Sequence, residues 1–519
     1  MMEEEGGTRS AQSLKWKFSQ VFEPKMANEK SVKDAEEVTS DDKESKDDQT
    51  SAKQVDKVIS AVRFDKTGDL IATGDCGGRI VLYELSDLKK SSQSRTIGER
   101  IDSGDTTHPL YRWKIDFKSH EKQYQVDYLT CEPIKNKINK ITWCPAPNTA
   151  SLLLSTNEKT IKLWKVQEKK VKKIFTFDMN IPRASGKSTT ASATISGCPR
   201  REKSHNSLTI GESIQLRTGS SSLPLRAPKL ETNTVATCRR TFAKAHDFHI
   251  NSISTNSDCE TFISADELQI HLWNLERSDQ AFNIVDLTPV YGNHMPQVIT
   301  AAEFHPEHCN MLAYGTSKGL IRLLDLRLSA LCDRSGKLFG ERGCRSSRSA
   351  TMDFVSSISD IKFKNDGRHV ITRDYTALKL WDINMNSGPV STYTVQENLL
   401  SKIRDRKLLE DMFEFCLSGN GLCAATGSYS HLFRLIDLSQ DSNKAKTLQA
   451  STMPQMLNVE ASSPWTARAL ERCGVSATRE LGGNGCFYND TVKLLNLAWH
   501  PSQNLIACAL ADSLFLYHA

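Results

Sequence analysis

Histidine and cysteine are the side chains best suited to hold a metal or to start nucleophilic chemistry, and in this 519-residue chain they are scattered. His305, His308 and Cys309 lie close together, as do His246 and His249, and either group could begin a zinc site. Neither is followed by a second ligand cluster at zinc-finger spacing, and none of the fourteen cysteines forms a Cys-x-x-Cys pair. His305 and His500 each precede a proline at equivalent places in the chain, which marks them as parts of a repeated unit. The glycine-rich LGGNGCF at 481–487 neither follows a strand nor opens a helix, as a nucleotide-binding loop must. No nucleophile motif has the strand and helix it would need on either side. The expectation is a chain with no catalytic residue, no metal and no cofactor.

Carboxylates are the other chemical resource, and they recur in short turns. Asp75-Cys76-Gly77, Asn157-Glu158-Lys159, Asp266-Glu267-Leu268, Ser317-Lys318-Gly319, Asp374-Tyr375-Thr376, Ser428-Tyr429 and Asp512-Ser513 each follow one apolar strand and precede another. Asp and Asn are what tight turns select, because their side chains bond to backbone two residues on. Taken as a set, Asp75, Glu158, Asp266, Glu267, Asp374 and Asp512 give a net acidic rim despite Lys159 and Lys318. Such a rim can dock basic or mixed-charge partners by electrostatic steering.

The elements that position these turns form a repeat. INSISTNSDCETFISADELQIHLWNL from Ile250 and ISDIKFKNDGRHVITRDYTALKLWDI from Ile358 are its clearest copies: strand, turn, strand, tight polar turn, strand. Seven copies occur, with the later ones starting near Ile250, Ile299, Ile358, Phe413 and Leu495. The pattern predicts an all-β, seven-bladed WD-repeat β-propeller. Blades of roughly 40–45 residues use about 300, and the rest are insertions.

Alternation in LKWKFSQVF predicts that the N-terminal strand (1–22) closes the last blade, which otherwise has three strands. Residues 23–57 read as a charged disordered insertion, and 58–519 as the propeller. LYRWKIDF (110–117) is the expected fourth strand of blade 1, with Tyr111, Trp113, Ile115 and Phe117 on one face. Blade 2 runs on past its end and returns, which predicts a projecting β-hairpin over 161–246 with a disordered tip at 181–220. Residues 440–490 read as a further disordered insertion.

Composition excludes several classes. Hydrophobic residues make up 38% and net charge is only +5, from 67 basic and 62 acidic residues, so neither extensive nucleic-acid binding nor a membrane partner is expected. The Lys169, Lys170, Lys172, Lys173 stretch reads as a solvated hairpin face, with a nuclear signal as the alternative. The acidic start lacks the apolar segment of a secretion signal, and no run of eighteen apolar residues occurs. A cytosolic location is expected, with the nucleus as a second compartment.

SLKWKFSQVF, ATGDCGGRIVLYE, KINKITW, FISADELQIHLWNLE, AEFHPEHCN, RDYTALKLWDINM and LAWHPSQNLIA also stand in an order that resembles the B (55-kilodalton) regulatory subunit family of protein phosphatase 2A. The resemblance runs from Ser13 to the end, missing only the insertions. It implies a non-catalytic subunit of a heterotrimer with a scaffold and a catalytic subunit, selecting phosphoserine and phosphothreonine protein substrates. The hairpin would meet the scaffold, near Leu225, Arg226, Pro228 and Leu230. The rim would be an acidic substrate groove containing Asp266, Glu267, Asp374, Tyr375, Asp75 and Glu158.

Two departures from the family bear on this. Lys135 and Asn136 stand where the family has paired glutamates, and Ala227 and Lys229 replace more apolar residues in the hairpin. A stand-alone propeller adaptor is the alternative function, and a propeller hydrolase a third.

Overall fold

A computed structural model of the chain describes residues 15–23, 56–86, 100–101, 109–121, 134–144, 150–172, 230–289, 297–332, 336–341, 355–385, 388–395, 411–429, 431–439, 446–450 and 493–519. The expectations for 181–220 and for most of 23–57 and 440–490 lie outside the described residues. The chain divides into two compact units, one of 1–167 with 234–519 and a second of 168–233.

The strands are β1 (Lys17–Phe22), β2 (Ile59–Phe64), β3 (Leu70–Asp75), β4 (Arg79–Leu85), β5 (Arg100–Ile101), β6 (Tyr111–Lys118), β7 (Lys140–Cys144), β8 (Ser151–Thr156), β9 (Ile161–Lys172) and β10 (Leu230–Phe242). Next come β11 (Ser252–Thr255), β12 (Thr261–Ala265), β13 (Gln269–Asn274), β14 (Arg277–Asp286), β15 (Ile299–Phe304), β16 (Met311–Thr316), β17 (Ile321–Asp325), β18 (Lys337–Phe339), β19 (Asp360–Phe363), β20 (His369–Arg373), β21 (Ala377–Asp382) and β22 (Ser391–Thr394). The last are β23 (Phe415–Leu417), β24 (Cys423–Gly427), β25 (Leu432–Asp437), β26 (Lys446–Gln449), β27 (Leu497–Trp499), β28 (Leu505–Leu510) and β29 (Ser513–His518).

They form seven sheets, and these are the blades of a β-propeller. The orders are β2-β3-β4-β6, β7-β8-β9-β10, β11-β12-β13-β14, β15-β16-β17-β18, β19-β20-β21-β22 and β23-β24-β25-β26, with β27-β28-β29-β1-β5 as the seventh. A blade between two others buries both faces, and β3 and β24 are buried at every residue. The apolar clusters sit between blades and run round the ring. Ile80, Leu82, Ile141 and Trp143 join blades 1 and 2, and Val62, Ile71, Leu514 and Leu516 join blades 7 and 1.

β1 pairs with β29, from Lys17 opposite His518 to Phe22 opposite Leu514. Trp16 stands edge-on to Trp499 with ring centroids 5.4 Å apart, and Phe18, Val21 and Phe22 are buried. Burying each of these side chains contributes roughly 1.5–3 kcal/mol. The Gln20 amide also clasps the backbone of Tyr111 in blade 1, donating to its carbonyl at 3.0 Å and accepting its N–H at 2.8 Å.

Blade 2 differs from the rest because β9 and β10 pair and run on into the second unit, where 168–172 and 230–233 are strand.

Two features differ from the sequence pattern. Leu82 pairs with Ile115 but Tyr83 pairs with Trp113, so Lys114 is a bulge in β6. A bulge reverses the facing of everything beyond it. Ile115 and Phe117 therefore pack towards blade 2, Tyr111 packs towards blade 7, and Trp113 is 45% exposed. In addition, the segment expected to be disordered at 440–490 contains β26, which pairs with β25 and buries Leu448. One apolar residue among polar ones suffices for an outer strand whose partner is already in place, and it leaves too short a period to detect.

Candidate functional site

Four of the seven turns between second and third strands, those of blades 1, 2, 3 and 5, are built on one chemical plan. A short polar side chain at the turn's start accepts the backbone N–H groups that the turn leaves over, an Asx-type arrangement. Asn157 Oδ1 accepts from Lys159 N at 3.1 Å and Thr160 N at 2.8 Å. Asp266 Oδ1 accepts from Leu268 N at 2.8 Å and Gln269 N at 2.7 Å. Asp374 Oδ1 accepts from Thr376 N and Ala377 N, each at 2.8 Å, and Asp75 Oδ1 from Arg79 N at 2.8 Å.

The second carboxylate oxygen of each aspartate is also taken. Asp75 pairs with Arg79 at 3.4 Å, and Asp374 with Lys379 at 2.7 Å, which also holds Glu341. Burial pushes the Asp75 carboxyl up, against the pull of Arg79. Asp266, fully buried, accepts from His246 Nδ1 at 2.7 Å. Burial raises its carboxyl, but the hydrogen bonds from His246, Gln269 and Leu268 outweigh that and hold it below the usual range.

Glu158 and Tyr375 are buried too. Glu158 Oε2 accepts from Lys135 N at 2.9 Å and lies 3.8 Å from His249 Nε2. The Tyr375 hydroxyl accepts from Asp411 N at 3.2 Å, and burial pushes that phenol up to about 12. Among the rim acids, Glu267 is the one whose half-exposed carboxylate has no hydrogen bond or ion pair to a described residue. Asn136 is buried with its amide on the Gly77 carbonyl, and Lys135 beside it is exposed. Of the hairpin residues, Leu230 opens β10, while Leu225, Arg226 and Pro228 lie outside the described residues.

Sequence reading missed a network around Asp266. Trp273 Nε1 donates to Ser264 Oγ at 2.8 Å, Ser264 Oγ meets His246 Nε2 at 2.6 Å, and His246 Nδ1 meets Asp266. This is the order of a serine nucleophile, a base and an orienting acid. Ser264 and Asp266 have no exposed surface and His246 is 8% exposed, so a substrate cannot reach the hydroxyl and the chain of bonds acts as a brace. The spacing of His246, Ser264, Asp266 and Trp273 was the available signal.

Also missed was an axial cavity of about 460 Å³, lined by the first strands of five blades. Arg63, Lys140, Glu303, Asp360 and Lys362 line it, and Glu414 pairs with Lys140. Burial pushes the Glu303 carboxyl up to about 7, whereas Glu414 is held down to about 2 because Lys140, Arg63 and Lys362 together overcome its burial.

Known proteins decide what this propeller is. No family model matches the chain. It is 48% identical over 519 residues to the B beta isoform of the 55 kDa regulatory subunit of serine/threonine protein phosphatase 2A from Arabidopsis thaliana, covering 98% of this chain and 97% of that protein. The B alpha isoform of Oryza sativa subsp. japonica is 46% identical over 533 residues, covering 99% of this chain and 87% of the other. The chain belongs to the 55 kDa regulatory B subunit family of protein phosphatase 2A. The B alpha isoform of A. thaliana matches similarly, at 46% over 522 residues and 97% of its length.

Members of this B subunit family are regulatory, and the chain is accordingly a non-catalytic subunit. Among the described residues of the chain, no group of three or more His, Cys, Asp or Glu side chains could hold a metal ion. No helix among them is long and apolar enough to cross a membrane.

Proposed function

We propose that this regulatory chain joins a scaffold subunit and a catalytic phosphatase subunit, and presents phosphoserine and phosphothreonine protein substrates at its rim. The observation that carries this is identity at 46–48%, over nearly the full chain, with proteins named as phosphatase regulatory subunits. The scaffold contact is assigned to the hairpin of β9 and β10, including Leu225, Arg226, Pro228 and Leu230. The long paired strands that leave blade 2 support that assignment.

Substrate contact is assigned to the rim turns. Within them Glu267 meets basic side chains of the substrate, and Glu158 reinforces it from the neighbouring blade. Asp75, Asp266, Asp374 and Tyr375 act one step back, because their polar atoms already hold the turns in shape. The cytosol is the assigned compartment, with the nucleus as a second.

Mixing the purified chain with the scaffold–catalytic dimer and resolving the mixture by size exclusion tests the reading. A stoichiometric trimer is expected, in spite of Lys229. No complex at micromolar concentration would overturn it in favour of a stand-alone adaptor. Glu267→Lys should leave the trimer intact and slow dephosphorylation of basic substrates; loss of assembly instead would remove Glu267 from the substrate site.

A further inference from the structure

Counting acids around the rim misjudges its field, because most are already neutralised. Asp75, Asp266 and Asp374 have cationic or imidazole partners, and Asp411 is held by Lys493 at 2.7 Å. The lysines around the first turn are placed differently. Three segments converge on residues 75–78. Gly77 N donates to Asp56 O at 2.6 Å, the Gly77 carbonyl accepts from Lys118 Nζ and Asn136 Nδ2, each at 2.5 Å, and Ile138 N donates to Asp75 O at 3.1 Å.

These bonds bring Lys57, Lys118, Lys135 and Lys137 to one sector, and all four are exposed. Lys57, Lys118 and Lys137 form no ion pair with any described residue; the bond Lys118 makes is to the neutral Gly77 carbonyl, although its charge also pulls on the Asp75 carboxyl. Lys162 nearby likewise donates to the Ser119 carbonyl at 2.8 Å. Arg79 bridges Asp75 and Asp116, and Glu158 accepts from Lys135 N, so Asp56, Asp75, Asp116, Glu121 and Glu158 stand in these segments against Arg79 and the five lysines. His120 is buried in the same place, and burial first, then Lys162, hold its imidazole down to about 3.

We propose that this sector, around Gly77, docks an acidic segment of the protein substrate through Lys57, Lys118, Lys135 and Lys137. The rim is then bipolar, basic around Gly77 and acidic at Glu158 and Glu267. Cations clustered within a Debye length of about 8–10 Å act together on a passing chain. The inference rests on the regulatory-subunit reading and narrows its substrate class to proteins that carry an acidic stretch.

The test is fluorescence anisotropy of a labelled Glu-rich peptide on the assembled trimer, at low and at physiological salt. Binding that weakens with salt is expected. An exposed ion pair is worth a factor of about 1.4–5, so a Lys57→Glu/Lys118→Glu/Lys137→Glu variant should bind about 3-fold to 100-fold more weakly. Trimer assembly and turnover of a small aryl phosphate should stay unchanged.

Lys118 touches the turn, so the Lys57→Glu/Lys137→Glu pair, whose side chains hold no backbone, serves if the triple variant misfolds. Equal peptide binding by the variants, or tighter binding of anionic vesicles or duplex RNA than of the peptide, overturns the acidic-peptide dock. Because the readout uses the trimer, its failure to form refutes the regulatory reading itself. A trimer without peptide binding refutes the dock alone.

Discussion

Asp266 and Glu267 are adjacent acids in one turn, yet the structure gives them opposite consequences on mutation. Asp266→Ala removes the acceptor for Leu268 N, Gln269 N and His246 Nδ1, bonds of 2.8, 2.7 and 2.7 Å around a carboxylate with no exposed surface. Each buried polar group left without a partner costs about 1–3 kcal/mol, so the variant should lose about 4 kcal/mol. Disorder should spread through His246 to Ser264 and Trp273, which share the chain of bonds. Glu267→Ala breaks no such bond and should stay within about 0.5 kcal/mol of the parent. Urea unfolding followed by tryptophan fluorescence measures both, and Trp273 gives a local signal. Equal stability of the two variants would refute the reasoning, since it would mean that the Asp266 carboxylate is solvated and not holding its turn.

Acid should destabilise the propeller before its carboxylates titrate. Burial holds His120 down to about 3, and burial with His246 holds His271 down to about 4, against 6.5 for a free imidazole. The unfolded chain therefore binds more protons below pH 6.5, so stability falls as pH drops, by about 2 kcal/mol for each histidine at pH 5. Urea midpoints that do not move between pH 7 and pH 5 would contradict this. At the junction of blades 7 and 1, Gly68 has φ +84° and an added Cβ would lie 2.0 Å from the His500 ring. Gly68→Ala should cost about 2–3 kcal/mol from strain and displacement of that ring, measured by the same unfolding, while trimer assembly survives. An unchanged midpoint would mean the junction is loose.

What could be read in the sequence, and what could not, follows from how far each signal reaches. The repeat was legible because an inter-blade strand such as β24 must be apolar at nearly every residue, and its turns must start with Asp, Asn or Ser. Pairing of β1 with β29 was legible because Trp16 and Phe18 alternate with lysines in a strand that has no partner strand nearby in sequence. The Lys114 bulge was not, since a single inserted residue leaves the alternation of letters intact while reversing the faces. The rim acids show the deeper limit. Their types and positions could be read, but an aspartate that grips its own turn and a glutamate that meets solvent are the same charge in a count. Only the hydrogen bonds separate Asp266 from Glu267, and only the missing ion pairs of Lys57, Lys118 and Lys137 reveal a basic sector. The same holds for Arg63, Lys140, Glu303 and Lys362, single charges in apolar first strands. One alone looks like an interruption of the pattern, and closing the ring turns them into the lining of a common cavity. Charge in a propeller is therefore best weighed after its partners are known: what remains unpaired on the rim is available to a substrate, and what is paired maintains the blade.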